Sequence, residues 1–384
     1  MGSGDEPAHE EGQLTKSPFF RKYLLPGFVF QSVVIAGGYG TGRELAEFFL
    51  TEGPLGGLLA MLLVSMVLWS AVCVATFAFA RTFESYDYRS LFKRLLGRAW
   101  ILYELTYLAM LFLILAVIAA AAGTILEETF GLPYAVGVIG IMAAVGFLTF
   151  RGTTVIEWFL ARWSLVLYVV YIVFFVWCFA RFGGDIVSSF SADGLGFGWI
   201  TGGIRYAAYN LAVIPPILFV VRHAETTDDA VKAGILAGPI AIFPGLLFYL
   251  AMVGHYPQIL ERPVPANFLL EILGSRAFQL AFQVVLFGTL IETGTGLIHG
   301  VNERISGVYK ERNIAMPAFL RPAVAIGLLI IGALLARFGI IDLIARGYGT
   351  MSWFFAVLYG VPILTVGVWM VAVRRRKRSV TAVG

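Results

Sequence analysis

Long apolar segments separated by short polar connections make up most of the sequence. Most of them approach or exceed the roughly 20 residues that a helix needs to cross the hydrocarbon core of a bilayer. The pattern therefore predicts ten membrane spans with short turns between them. The predicted spans are residues 19–50, Leu55–Ala80, Trp100–Leu126, Tyr134–Phe150, Trp163–Phe182, Trp199–Val221, Ala230–Val253, Leu270–His299, Pro322–Ala336 and Ile344–Val373.

Composition supports a multi-pass membrane protein rather than a soluble domain. Of the 384 residues, 59% are hydrophobic and 14% are charged, and the mean hydropathy is +0.83. Inside a bilayer a helix satisfies its own backbone groups, so an all-α fold is expected. The net charge of +4 is small, and its basic residues are spread over loops, which argues against nucleic acid as a partner. Cys73 and Cys178 lie in apolar runs, and no disulfide framework or metal site is indicated.

The distribution of Lys and Arg sets the expected orientation. Most of these residues fall in the connections that ten spans place on one side, together with the basic run at 374–378. By the positive-inside rule both termini are expected in the cytoplasm, with the chain in the cell membrane. The predicted organisation is a disordered cytoplasmic tail (1–18), a first five-helix repeat (19–182), an extracytoplasmic loop (183–198), a second repeat (199–373) and a basic cytoplasmic tail (374–384).

A glycine-rich stretch, GGYGTG at residues 37–42, interrupts the first span. Each glycine costs about 1 kcal/mol relative to alanine in a helix interior, so the helix is expected to break here. Arg43, Glu44 and Glu47 follow directly, and charged residues at this depth are too costly for a lipid-facing surface. A break in hydrocarbon must have its backbone groups satisfied by protein, water or ligand. The stretch therefore predicts a lined cavity with a solute site.

The sixth span has its own interruption at Pro215-Pro216, which removes two backbone donors. Spans 1 and 6 are each the first of five, so the second half would enter the membrane from the opposite side. Interrupted segments at corresponding positions of an inverted repeat are typical of secondary transporters, with the solute site near the midplane.

These features resemble those of a known family. The stretch GGYGTGRELAEFF, residues 37–49, resembles the first span of the YkvI-like amino acid permeases, which have the LeuT fold of the amino acid–polyamine–organocation superfamily. The resemblance implies a 5+5 inverted repeat with broken spans 1 and 6. It also implies that the N–H groups of the Gly40-Thr41-Gly42 motif bind a substrate carboxylate, as helix N-termini bind anions. The span 1 and span 6 motifs of the Nramp-type metal transporters are absent.

Candidate site residues follow from the two interruptions. Arg43 and Glu47, four residues apart, form either a gate or a structural ion pair. Glu44 points away from that pair and is assigned to the binding site. Asn210 either caps the broken helix or binds solute. The substrate-binding candidates are Gly37, Gly38, Tyr39, Gly40, Thr41, Gly42, Arg43, Glu44, Tyr209 and Asn210.

Coupling candidates lie in span 8, which reads FGTLIETGTGLIHG. Sodium symporters of this fold carry adjacent Ser/Thr hydroxyls there, and this sequence has none. Glu292, flanked by Thr289 and Thr293, offers a carboxylate that can carry a proton. The alternatives are a carboxyl group that is hydrogen-bonded to a facing broken helix, or a fixed partner for Arg43.

The favoured function is secondary active transport of a small solute, an amino acid or related zwitterion, by alternating access. Proton coupling or exchange is favoured over sodium. A channel and a non-transporting sensor of the same fold are the alternatives. The sequence carries no motif of an intramembrane enzyme, and no cofactor is expected. The expected partners are the solute, a coupling ion and the lipid bilayer.

Overall fold

The structure, a computed structural model, describes residues 17–35, 37–150, 153–191, 198–311 and 314–381. The regular structure in these ranges is helical, and the predicted tail at 1–16 and the loop residues 192–197 lie outside them. The helices are α1 (Leu25–Val34), α2 (Arg43–Phe48), α3 (Pro54–Phe83), α4 (Tyr88–Leu96), α5 (Trp100–Phe130), α6 (Tyr134–Phe150), α7 (Thr153–Ser189), α8 (Trp199–Asn210), α9 (Thr227–Val253), α10 (Pro265–Leu273), α11 (Arg276–Glu311), α12 (Leu320–Ala336) and α13 (Gly339–Arg376).

Six of these helices are long and apolar enough to cross a membrane, so this is a multi-pass membrane protein. They are α3, α5, α7, α9, α11 and α13, and a seventh span is counted if α8 and the 3-10 helix Pro215–His223 are taken together. The helices α6 and α12 are apolar but shorter. With the interrupted first segment, each of the ten predicted spans has a helical counterpart, while the count of ten itself stays a prediction.

The helices form two packed groups. In one, α9 packs against α3 and α1, and α8 packs against the π-helical part of α3 at Ala60–Ser65. In the other, α5, α6, α11 and α12 pack against one another. A short helical turn, Gly37–Gly40, touches both α5 and α11, so the first span lies where the two groups meet.

Close helix contacts in both groups depend on small residues. Between α9 and α3, a Cβ on Gly234 would lie 2.6 Å from the Cα of Val74. Between α6 and α5, a Cβ on Gly137 would lie 2.6 Å from the Cα of Gly123. Lipid tails are as apolar as the surfaces of the helices, so the hydrophobic effect does not drive helices together inside a bilayer. They associate instead through close backbone packing of this kind.

The amphipathic helix α4 packs against α5, which belongs to the second group. Asp87 caps it by accepting a hydrogen bond from the backbone N–H of Ser90 at 2.8 Å. Its apolar side chains Leu91 and Phe92 are buried, and the ring of Phe92 stacks on that of Tyr103 in α5. This packing places Tyr88, the first residue of α4, beside α5 and α11.

Several predicted boundaries were wrong. Span 8 begins at Arg276 rather than Leu270, because Pro265–Leu273 forms a separate helix that ends at Gly274, whose φ of +76° is left-handed. Helix α7 starts at Thr153 and continues past Phe182 to Ser189, since Gly183 and Gly184 face open space and do not interrupt it. Polar composition alone does not end a helix that extends beyond the membrane. The basic segments at 303–311 and 374–381 are helical for the same reason.

The glycine contact between α5 and α6 can be tested with a matched pair in one helix. Gly137→Ala places a methyl group against the backbone of α5, and overpacking of this kind costs about 1–3 kcal/mol. Gly140→Ala in the same helix meets nothing within 4 Å and gains helix propensity. We expect a lower thermal midpoint for Gly137→Ala and an unchanged or higher one for Gly140→Ala, measured on purified protein in detergent. Equal midpoints would contradict the described packing.

Candidate functional site

The first span is interrupted at two points on either side of the Gly37–Gly40 turn. Helix α1 ends at Val34, and Ile35 leaves the helical region with φ −74° and ψ 77°. Residue 36 lies outside the described part of the chain. The second point is Gly42, whose φ of +79° is the left-handed conformation that glycine adopts without strain. A Cβ there would also lie 3.0 Å from Cζ of Phe248 and 3.2 Å from Cβ of Pro265.

Several backbone groups at this interruption are hydrogen-bonded within the protein. The N–H of Gly42 donates to the carbonyl of Tyr39 at 2.9 Å, and the N–H of Arg43 donates to the hydroxyl of Thr41 at 3.3 Å. Tyr171 donates its hydroxyl proton to the carbonyl of Gly40 at 3.0 Å. Of the Gly-x-Gly donors expected to bind a substrate carboxylate, the N–H of Gly42 therefore already has an internal acceptor.

The side chain of Glu44 fills the space inside the interruption. It is 2% exposed, and a Cβ on Gly38 would lie 2.8 Å from its carboxyl carbon. Its carboxylate accepts a hydrogen bond from the hydroxyl of Tyr209 in α8 and also interacts with the backbone of Tyr39. The place beside Gly38 thus holds a carboxylate of the protein itself, which links the first and sixth spans.

Arg43 faces the loop between α9 and α10. Its guanidinium, 3% exposed, donates to the carbonyls of Leu260 at 2.6 Å and Arg262 at 3.2 Å. The same guanidinium pairs with Glu47 at 2.7 Å. The N–H of Ala266, in α10, donates to the carbonyl of Thr41 at 2.9 Å. Loop and helix together cover the predicted outer end of the first span.

The sixth span bends where α8 ends. Its two parts, Trp199–Val213 and Pro215–His223, differ in direction by 68°. The side-chain amide of Asn210 donates a hydrogen bond to the carbonyl of Tyr206 at 3.0 Å. Asn210 therefore provides a donor for a carbonyl in the last turn of its own helix. Pro215 then begins a 3-10 helix, in which its missing N–H is not needed.

A cavity of about 790 Å³ lies between the two helix groups. It reaches Ile35 and Ala212, next to the two interruptions, and extends to Tyr88 and Arg304 at the end that we predict to face the cytoplasm. The described lining residues are Ser32, Val33, Ile35, Tyr88, Tyr107, Met110, Leu111, Ile114, Tyr168, Ala212, Val213, Pro216, Thr289, Glu292, Thr293, Gly296, Leu297, Gly300, Val301 and Arg304.

The structure separates the two sets of candidate residues. The coupling candidates Thr289, Glu292 and Thr293 line the cavity. None of the substrate-binding candidates is among its described lining residues, because Glu44, Tyr209 and the internally bonded turn close the interruption. The hydroxyls of Thr289 and Thr293 donate to carbonyls one turn earlier in α11. Arg43 pairs with Glu47, as one of the sequence alternatives predicted.

Sequence reasoning did not single out Arg304 or Tyr88, which lie at the mouth of the cavity. The guanidinium carbon of Arg304 lies 4.2 Å from the ring centres of both Tyr88 and Tyr107, and its nitrogen lies 3.4 Å from a carboxylate oxygen of Glu104. One signal was available, since the lining residues of α11 recur every three or four positions from Thr289 to Arg304. Because the predicted span 8 ends at His299, the lining residues beyond it, which include Arg304, fall outside that span.

Similarity to known proteins is low in sequence and lies mainly in the fold. No family model matches the chain. An uncharacterized membrane protein of Bacillus subtilis strain 168, YkvI, is 20% identical over 283 residues, which cover 72% of this chain and 79% of that protein. The predicted resemblance to YkvI-like proteins is thereby confirmed.

Solved transporter structures share the fold. The inward-facing conformation of Mhp1 matches 93% of this chain and 73% of its own, with a TM-score of 0.53 and 14% identity. A substrate-bound, outward-open Na+-coupled sialic acid symporter matches 91% and 88%, with 0.50 and 14%. A manganese transporter of Eremococcus coleocola, in a mutant form, matches 96% and 81%, with 0.52 and 15%. The chain therefore has the LeuT fold, as the sequence predicted.

Access to the cavity can be tested by thiol labelling. Thr293→Cys lies on the cavity wall and Thr41→Cys lies in the closed interruption, where Thr41 is 0% exposed. The native Cys73 and Cys178 are buried, so they give little background. In inside-out vesicles we expect a charged, impermeant thiol reagent to label Thr293→Cys and to leave Thr41→Cys unlabelled. Equal labelling of both variants would rule out the described closure.

Proposed function

We propose that this protein is a secondary active transporter that moves a small solute by alternating access. The observation that carries the proposal is the cavity between the two helix groups. It reaches both interrupted spans at one end and extends towards the opposite surface. Beyond the interrupted spans the protein is closed by Glu44 and Tyr209 and then by Arg43 with the loop at Leu260. A site with one closed and one accessible side is what alternating access requires, because the groups can rock against each other around it.

The ten-span, 5+5 inverted repeat is part of this proposal. Its support is the pairing of equivalent helices: α3 packs against α9, α5 against α11 and α6 against α12. Each pair joins a span to the one five positions later. We retain the two five-helix repeats, with the first extended by α7 from 182 to Ser189 and the second at 199–373, and the cytoplasmic location of both termini in the cell membrane.

We propose that the solute binds where the first and sixth spans meet. The site comprises residues Gly37 to Glu44 together with Tyr209 and Asn210. In this structure the site is closed, because the side chain of Glu44 occupies the space inside it. The solute carries an ammonium group, as an amino acid or related zwitterion does. The pair of Arg43 and Glu47 acts as the outer gate, since opening the outer side must release Arg43 from Leu260 and Arg262.

For coupling we propose a proton or plain exchange rather than sodium. Glu292 lies on the cavity wall, close enough to Tyr168 to interact electrostatically, and Thr289 and Thr293 lie beside it. A carboxyl group at a cavity that alternates between two sides can load and release a proton. A channel or a solute sensor remains the alternative function.

The decisive experiment is counterflow in proteoliposomes. Liposomes are loaded with an unlabelled amino acid and exposed to a trace of the radioactive form. A transporter shows transient accumulation of label, whereas a channel or a sensor shows none. Absence of counterflow with a broad set of amino acids and amines would refute the transporter proposal.

The role of Glu292 has a separate test. Glu292→Gln removes the titratable group and keeps the shape, so we expect counterflow to remain while accumulation driven by a pH gradient is lost. Uptake with and without an imposed gradient gives the measurement. Loss of folding in the variant, or accumulation that follows sodium and ignores pH, would show that the proton assignment is wrong.

The outer gate is tested by Arg43→Gln. Hydrogen bonds to charged groups contribute about 1.5–3 kcal/mol each, so their loss should raise the open population about tenfold or more. Faster labelling of Thr41→Cys from the outer side measures this opening. Arg346→Gln is the control, because Arg346 is 85% exposed in its pair with Asp342 and should not change labelling. Equal rates in both variants would remove Arg43 from the gate.

A further inference from the structure

Glu44 is a buried acidic group that no basic side chain of the described residues accompanies. Its partners are the hydroxyl of Tyr209 and the backbone of Tyr39. The neighbouring Arg43 points away, towards Glu47 and the outer loop. Two neutral donors do not compensate fully for removing a carboxylate from water, so the pocket favours an added positive charge.

Four tyrosines surround this carboxylate. The ring of Tyr209 lies 5.6 Å from that of Tyr206 and 5.0 Å from that of Tyr348, and Tyr39 interacts electrostatically with both Tyr206 and Glu44. The hydroxyl oxygens of Tyr39 and Tyr206 are buried and have no hydrogen-bond partner among the described residues. Aromatic faces and phenol oxygens both attract cations.

We propose that Glu44 and these tyrosines form a subsite for the ammonium group of the transported solute, and that a carboxylate on the solute is not required. This inference rests on the proposed transport function. A primary ammonium has three N–H donors, which match one carboxylate oxygen of Glu44 and the oxygens of Tyr39 and Tyr206. Each methyl group added to the ammonium removes one of these donors, and a trimethylammonium group has none.

The same geometry disfavours a solute carboxylate at this place. The N–H groups of Gly42 and Arg43 already donate to Tyr39 and Thr41. A second carboxylate beside Glu44 would be repelled by it, and like charges in contact are strongly unfavourable at a buried site. A small primary amine is therefore the preferred solute over the amino acid with the same side chain.

The subsite adjoins the cavity without being open to it. The cavity ends at Ile35 and Ala212, and the adjacent chain leads to the Gly37–Gly40 turn on one side and to Asn210 on the other. An amine entering from the cavity has to displace the hydroxyl of Tyr209 from Glu44. This exchange replaces a neutral donor by a charged one.

The test uses matched ligands that differ by the carboxylate alone. Tyramine and tyrosine form one pair, and isobutylamine and valine form the other. Thermal unfolding of the purified full-length protein is measured over a concentration series of each. We expect each amine to raise the unfolding midpoint at a concentration about tenfold lower than its amino acid does. A tenfold difference in affinity corresponds to about 1.4 kcal/mol of binding free energy.

Variants identify the side chain that binds the ammonium group. Glu44→Gln should remove the midpoint shift by the amines, Glu44→Asp should retain it at higher concentration, and Tyr209→Phe should leave it in place because Glu44 remains. Glu303→Gln, an exposed carboxylate paired with Arg321, serves as the control with unchanged shifts. The Glu44→Asp variant keeps the test valid if Glu44→Gln does not fold.

Several results would overturn the subsite. They are stabilisation by amino acids and not by amines, amine shifts that persist in Glu44→Gln, or no shift with either ligand class, as expected for a carboxyl group that only exchanges a proton. Counterflow keeps this separate from the transport proposal. Counterflow of tyrosine or valine without any response to the amines would refute the subsite and leave the transporter standing.

Discussion

Every peptide group at membrane depth must have a hydrogen-bond partner, and this constraint organises the structure. A continuous helix meets it internally, but the first span leaves the helix at Ile35 and again at Gly42. The protein meets the deficit with the side chains of Thr41, Glu44 and Tyr171 and with the backbone of Ala266. Tyr171 and Ala266 come from α7 and α10, and Tyr209 of α8 bonds to Glu44, so these three helices meet at the interruption.

The same constraint explains why the site lies at the boundary of two helix groups. The interrupted span belongs to the group with α3 and α9, yet its central turn touches α5 and α11 of the other. A side chain that satisfies a freed backbone group across this boundary also couples the two groups mechanically. The hydrogen bond from Tyr171 to the carbonyl of Gly40 is of this kind, since Tyr171 lies in α7, which packs against both α11 and α9. Movement between the groups therefore has to exchange this partner rather than simply separate two apolar surfaces.

Sequence patterns predicted the helical fold class and singled out Gly42 and Pro215, near which the backbone departs from a straight α-helix. They gave the pairing of Arg43 with Glu47 as one of two alternatives. Glycine and proline act locally, so their effect is visible without a structure. What the sequence did not reveal depends on long-range packing. The position of Glu44 inside the interruption depends on a hydroxyl 165 residues away, and the end of α10 depends on a left-handed glycine at 274. The lining of the cavity by Arg304 was missed because the helix continues through polar residues beyond the expected membrane boundary.

The interactions that close the outer side differ in kind from those inside the interruption. Arg43 is held by two carbonyls and one carboxylate, and such charge-assisted bonds are individually strong and sensitive to distance. An alternating protein needs closed and open states within a few kcal/mol of each other, since a ligand shifts an equilibrium only by its difference in affinity for the two states. In the open state Arg43 must then recover most of these hydrogen bonds. They can come from water or from Glu47, which lies on the same helix and stays within reach of Arg43. Glu47 therefore limits the cost of opening, because it keeps the guanidinium paired while Leu260 and Arg262 move away.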